Sequence, residues 1–135
     1  MDFVEVKIGK ELIEKFLKDV AKIENVSLEM EGDKLNLVLT SKVLNLMKIP
    51  VSVRFKVLST QGTPDDPIVF SVEASRLIMS FLKDFKGNSF EMKENKLFFY
   101  PSAAFSFLKR FVIFEVEFAE DFLLLRLRPF NEKPL

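Results

Sequence analysis

The sequence predicts an α+β domain in which a mainly antiparallel sheet carries two helices on one face. Three observations lead there: alternation of strand type recurs along the chain, two amphipathic segments of helical spacing interrupt it, and the two halves share one element order. At 135 residues a single domain over 1–135 is expected, large enough to bury a core without disulfides.

The first strand runs from Phe3 to Ile8, where Val4, Val6 and Ile8 alternate with Glu5 and Lys7. A helix over about Lys10 to Ile23 places Leu12, Ile13, Phe16, Leu17 and Val20 on its apolar face. Strands near Asn25–Glu31 and Lys34–Thr40 flank a Gly32-Asp33 turn. An apolar connection, Lys42 to Ile49, leads into an alternating strand, Pro50 to Leu58.

The segment 59–67, STQGTPDDP, interrupts every periodicity and reads as a linker. Beyond it come a strand, Ile68–Glu73, and a helix capped by Ser75 that reaches about Phe85, with Leu77, Ile78, Phe81, Leu82 and Phe85 as its buried face. A hairpin follows, Ser89–Lys93 and Lys96–Tyr100, turning at Glu94-Asn95. One or two helical turns over Ser102–Arg110 and a last hairpin from Val112 to Pro129 complete the series. Each half is thus β-α-β-β-β, with an extra strand near Leu123–Arg128.

Identities support a duplication of about 2–58 in 68–129. Phe16-Leu17-Lys18-Asp19 recurs as Phe81-Leu82-Lys83-Asp84, and Leu12-Ile13 as Leu77-Ile78. Ser27-Leu28-Glu29-Met30 recurs as Ser89-Phe90-Glu91-Met92, and Lys34-Leu35 as Lys96-Leu97. Val51, Val53, Phe55 and Val57 then fall opposite Val112, Phe114, Val116 and Phe118.

Composition removes whole classes of function. With no Cys there is no disulfide, thiol nucleophile or cysteine-ligated metal, and with no His there is no imidazole base or ligand. The net charge of +0 disfavours a protein built for long-range attraction to nucleic acid. The four glycines are isolated, so no phosphate-cradling loop is present, and no cofactor is expected. No basic segment leads into a long apolar run at the N-terminus, and no apolar stretch approaches the roughly 20 residues of a membrane span, so a cytoplasmic location is expected. The excess of Lys and Glu over Gln has a thermophilic lean.

Glu115 and Glu117 share a strand face at a spacing near that of glycosidase carboxylates. Their expected partners across the hairpin, Arg128 and Arg126, account for them as ion pairs instead. Asp65-Asp66 lacks the spacing of a calcium loop, and no serine has a base to activate it. Lys83, Lys86, Lys109 and Arg110 lie among phenylalanines, a mixture that nucleic-acid surfaces use but that core-facing rings with outward cations also produce.

The distribution of phenylalanine is more informative. Of the 16, only Phe3, Phe16 and Phe55 precede the linker. The second half therefore contains strands that are apolar on both faces, Leu97–Tyr100 and Phe122–Leu125, which need cover from a loop of the same chain, a second subunit or an apolar ligand. Phe98, Tyr100, Phe105, Phe107, Phe111 and Leu123 are the candidate interface or ligand surface.

The stretches FVEVKIGKELIEKFLKDV and IVFSVEASRLIMSFLKDF, followed by SLEMEGDKLNL and SFEMKENKLFF, give the chain a resemblance to one domain of the DNA sliding clamps. That resemblance implies two pseudo-symmetric units with paired helices bearing a basic face. Here Lys10, Lys18 and Lys22 share a face with Glu14, and the second helix offers only Arg76 and Lys83, so no functional residue is transferred. Tandem apolar strand–helix–strand units also look like tubular lipid-binding folds. The expected function is a non-catalytic binding or assembly module, self-associating through its Phe-rich second half. A carrier of an apolar ligand and a clamp-like DNA accessory protein are the alternatives.

Overall fold

In the computed structural model the described residues are 3–21, 25–43, 47–84 and 86–131. The fold is α+β, mostly antiparallel sheet with few helices. The elements in chain order are β1 (Val4–Gly9), α1 (Lys10–Ala21), β2 (Asn25–Glu31), β3 (Lys34–Val43), β4 (Met47–Ser59) and β5 (Ile68–Glu73). They continue with α2 (Arg76–Leu82), β6 (Phe90–Lys93), β7 (Lys96–Phe99), a short α3 (Pro101–Ala104), a 3-10 turn (Ser106–Arg110), β8 (Phe111–Phe118) and β9 (Phe122–Pro129). Two sheets result, one of six strands in the order β2-β3-β4-β5-β7-β6 and one of three in the order β1-β9-β8.

Both long helices cover the same face of the six-stranded sheet. Ile13 of α1 packs on Leu28 and Leu37 beside Leu35 and Phe55, while Ile78, Met79 and Leu82 of α2 pack on Val53, Val72 and Met92. Phe55 on the central strand β4 belongs to both clusters and joins them. The three-stranded sheet closes against the start of β5, where Ile113 and Leu127 meet Ile68 and Leu108, with Val6, Phe70, Val116 and Leu125 around them.

Several expectations need correction. Leu12 and Leu77, placed on the buried helix faces, are 61% and 66% exposed. In α2 the inward set is Ile78, Met79 and Leu82; at about 100° per residue Leu77 lies roughly 150° from the middle of that set. Phe85 and the side chains of Phe16, Leu17, Val20 and Phe81 lie outside the described residues, as do Lys22 and Ile23. The expected connection over Lys42–Ile49 is largely strand, because β3 and β4 extend until Val43 pairs with Met47.

The likeness of the two halves covers element order and the burial of Met30 and Met92, both at 6% exposure. It does not extend to strand pairing: β5 lies between β4 and β7, whereas its counterpart β1 pairs with β9 in the other sheet. The alternation match of β4 to β8 also breaks, since a bulge between Ile113 and Glu115 shifts the register at Phe114. In the last hairpin the pairs are Glu115↔Arg126, Glu117↔Leu124 and Val112↔Arg128, not Glu117 with Arg126 and Glu115 with Arg128. The turn is tighter than expected, closed by the Ala119 amide donating to the Phe122 carbonyl at 2.9 Å.

The segment 59–67 is a structured tether. Gln61, 6% exposed, accepts the Ile113 amide on Oε1 at 2.9 Å and donates from Nε2 to the carbonyls of Asp66 (2.7 Å) and Pro64 (3.2 Å). Its own amide donates to the Ile113 carbonyl at 3.0 Å, and the Thr60 hydroxyl donates to the Phe114 carbonyl at 3.2 Å. At the far end of β8 the Phe118 amide donates to the Gly32 carbonyl at 2.7 Å. That strand edge is therefore tied at Ile113 and Phe114 to the segment 59–67 and at Phe118 to the turn between β2 and β3. Gly32, at φ 62, takes a backbone conformation that favours glycine.

Asp66 holds the loop from within, its Oδ2 accepting the amides of Gly62 (2.9 Å) and Thr63 (2.8 Å). The Thr63 and Gly62 amides lower its pKa. A carboxylate depressed in the folded state stabilises above its unfolded pKa, and that contribution is lost as the pH falls through the folded value. Thermal melts taken between about pH 5 and pH 3 should therefore show a steeper loss of stability for the wild type than for Asp66→Ala.

Candidate functional site

The segment between β7 and β8 presents two aromatic rings to solvent on a braced turn. Pro101 occupies the first turn of α3, where a missing amide costs nothing, and is buried. The Phe105 amide donates to the Pro101 carbonyl at 2.8 Å, and the Leu108 amide to the Phe105 carbonyl at 3.0 Å. Leu108, 7% exposed, anchors the 3-10 turn in the cluster of Ile68, Ile113 and Leu127.

With Pro101 and Leu108 pointing in, Phe105 and Phe107 point out, 47% and 64% exposed. Their ring centroids are 6.2 Å apart at an interplanar angle of 49°. Two contiguous exposed rings form an apolar knuckle, and burying one such side chain is worth about 1.5–3 kcal/mol. Lys109 and Arg110, both exposed, follow directly. An open hollow lined by Lys109, Arg110, Phe111, Pro129, Phe130 and Asn131 adjoins them.

The other candidates are dispersed. Phe111 is half-buried against the Leu108 cluster, and Leu123 is half-buried in β9 between Ile8 and Phe118. Tyr100, also half-buried, precedes α3 and donates its amide to the Ser89 carbonyl at 2.7 Å. Phe98 lies on the opposite sheet face from the helices, with the Lys93 ammonium 5.7 Å from its ring centroid. Lys93 in turn pairs with Glu91 at 3.2 Å, and Lys86 pairs with the same carboxylate at 3.5 Å. Lys93 chiefly, through its hydrogen bond, lowers the Glu91 pKa.

The carboxylates considered for acid–base chemistry are drawn together by one cation. Arg126 contacts Glu115 at 2.6 Å, Glu5 at 3.4 Å and Glu117 at 3.9 Å. The hydrogen bond that Arg126 donates to Glu115, seconded by the one it donates to Glu5, raises the Arg126 pKa. Three acids, one from β1 and two from β8, around one guanidinium on β9 form a structural node. Among the described residues no group of three or more acidic side chains is arranged to hold a metal ion, and no helix is long and apolar enough to cross a membrane.

Comparison with protein-family models, with curated proteins and with solved structures gives no match. Function is therefore argued from the chain's own surfaces.

Sequence reasoning missed three features of those surfaces. Leu12 and Leu77 are equivalent in the two halves and stand on the solvent side of their helices; the phase of each helix against its inward residues is the signal that separates them. Gln61 as a buried hub had no sequence signal beyond being the sole glutamine. The third is the pair Phe3 and Val4, each 47% exposed at the start of β1, with Phe3 stacked edge-on against Phe114 at 6.0 Å.

Proposed function

We propose that this chain is a non-catalytic binding or assembly module whose contact surface is the Phe105–Phe107 knuckle. The observation that supports it is the placement of two adjacent exposed rings on a turn held from below by Pro101 and Leu108. Rigid aromatics lose little side-chain entropy on docking and are enriched among the residues that dominate binding energy. Lys109 and Arg110 beside them select a protein groove with an acidic rim.

Phe105→Ser/Phe107→Ser is expected to fold with a stability within about 0.5 kcal/mol of the wild type, because neither ring is buried. The same variant should lose the protein partners that quantitative affinity capture recovers with the wild type. Identical capture by a folded variant would remove the knuckle from consideration.

A second reading, a clamp-like DNA accessory protein, draws on the β-α-β-β-β order of each half and on the two helices sharing one sheet face. Against it, the exposed helix surfaces mix charges of both signs, Glu11, Lys15, Lys18 and Asp19 on α1, with Leu12 and Leu77. Salt-sensitive binding to duplex DNA is the measurement that separates the two readings.

A further inference from the structure

We propose that the chain forms a two-fold homodimer in which β1 pairs antiparallel with β1 of a second copy, in the register centred on Val6. The three-stranded sheet has two edges in unlike states. The β8 edge is tied by Gln61 and Gly32, whereas β1 has β9 as its one strand partner among the described residues. An edge of unpaired amides and carbonyls is a template for a further strand.

The direction of those groups follows from one bond. The Lys10 amide donates to the Asp121 carbonyl at 2.9 Å, one step beyond the Gly9↔Phe122 pair. Hydrogen-bonded pairs alternate along an antiparallel ladder, so Val4, Val6 and Ile8 direct their backbone groups at β9. Glu5, Lys7 and Gly9 direct theirs outward.

Charge then selects the register. Centred on Val6, the pairing sets Glu5 of each copy opposite Lys7 of the other, both at positions whose backbone groups face the partner. Val4 falls opposite Ile8 on the apolar face, and the half-exposed Phe3 falls opposite Gly9. Centring on Glu5 instead sets glutamate against glutamate, and centring on Lys7 sets lysine against lysine, which is destabilising. The other long edge strand, β2, carries Glu29 and Glu31 and no cation, so it has no charge-matched register with a copy of itself.

Sedimentation equilibrium over a range of concentrations, with native mass spectrometry, tests this. The wild type should show the two-chain mass as concentration rises. Lys7→Glu alone should revert to the single-chain mass, since it opposes Glu5 with an acid, and Glu5→Lys alone should do the same with two cations. An equimolar mixture of the two variants should recover the two-chain mass as a heterodimer, because every opposed pair is again of unlike sign. Glu5→Lys forfeits the Arg126 contact, so circular dichroism verifies that each variant is folded. Lys7→Pro, which deletes an outward-facing amide and leaves the bonds to β9 intact, provides an independent arm and should also be monomeric. The proposal is overturned by a wild type that stays single-chain throughout, by a dimer that persists in Lys7→Glu or Lys7→Pro, or by folded variants that do not pair when mixed.

Discussion

Replacing Gln61 by leucine is expected to lower stability by about 3 kcal/mol and the melting temperature by roughly 10 °C, measured by calorimetry or urea titration. The side chain is buried and serves three backbone groups at once: the Ile113 amide and the Pro64 and Asp66 carbonyls. Leucine has a similar volume but no polar atom, so the loss isolates the hydrogen bonds from the packing. Each buried group left without a partner costs about 1–3 kcal/mol. Gln61→Glu sharpens the test. A carboxylate still accepts from Ile113 but faces two carbonyl oxygens, so its protonated form is favoured in the folded state. Its folded pKa is raised, and the variant should regain stability as the pH falls, opposite in sign to the wild-type trend set by Asp66.

The second large effect concerns the packing of α1. Leu28 is fully buried and touches Ile13 of α1 together with Leu35, Leu37 and Phe55 on the sheet. Leu28→Ala removes three buried carbons and leaves a cavity between rigid strands, for an expected loss of about 3–4 kcal/mol in equilibrium unfolding. Leu12→Ala should change stability by no more than about 0.5 kcal/mol, since that leucine stands on the solvent side of the same helix. If the two variants cost the same, the orientation of α1 is wrong. The comparison is internal, with one residue type and one substitution at a buried strand position and an exposed helix position.

Much of the strand pattern was legible in the residues. Alternation located β1 and most of β4, and the Gly32-Asp33 and Glu94-Asn95 turns fixed two hairpins, because period and turn chemistry are local properties. Helix orientation was not. Leucines at 12 and 77 count as apolar in any pattern, and only the sheet beneath decides which part of a wide apolar arc is covered. The bulge at Phe114 and the resulting Glu115↔Arg126 register were also hidden, since one extra residue in a strand leaves no compositional mark. For the candidate site, the mixture of Phe and basic residues at 105–110 was visible. Which rings point outward depends on Leu108 and Pro101 reaching a core assembled from distant segments.

The pairing of β1 with β9 has a consequence for biosynthesis. Glu5 and Arg126, bonded across these strands, are 121 residues apart in sequence. Chains emerge from the ribosome N-terminus first, at about 5–20 residues per second. Both edges of β1 therefore stay open until residues 122–129 are made, seconds after the strand itself has appeared. During that interval the apolar residues Val4, Val6 and Ile8 have no strand partner within their own chain, which leaves the strand open to association before the chain is finished.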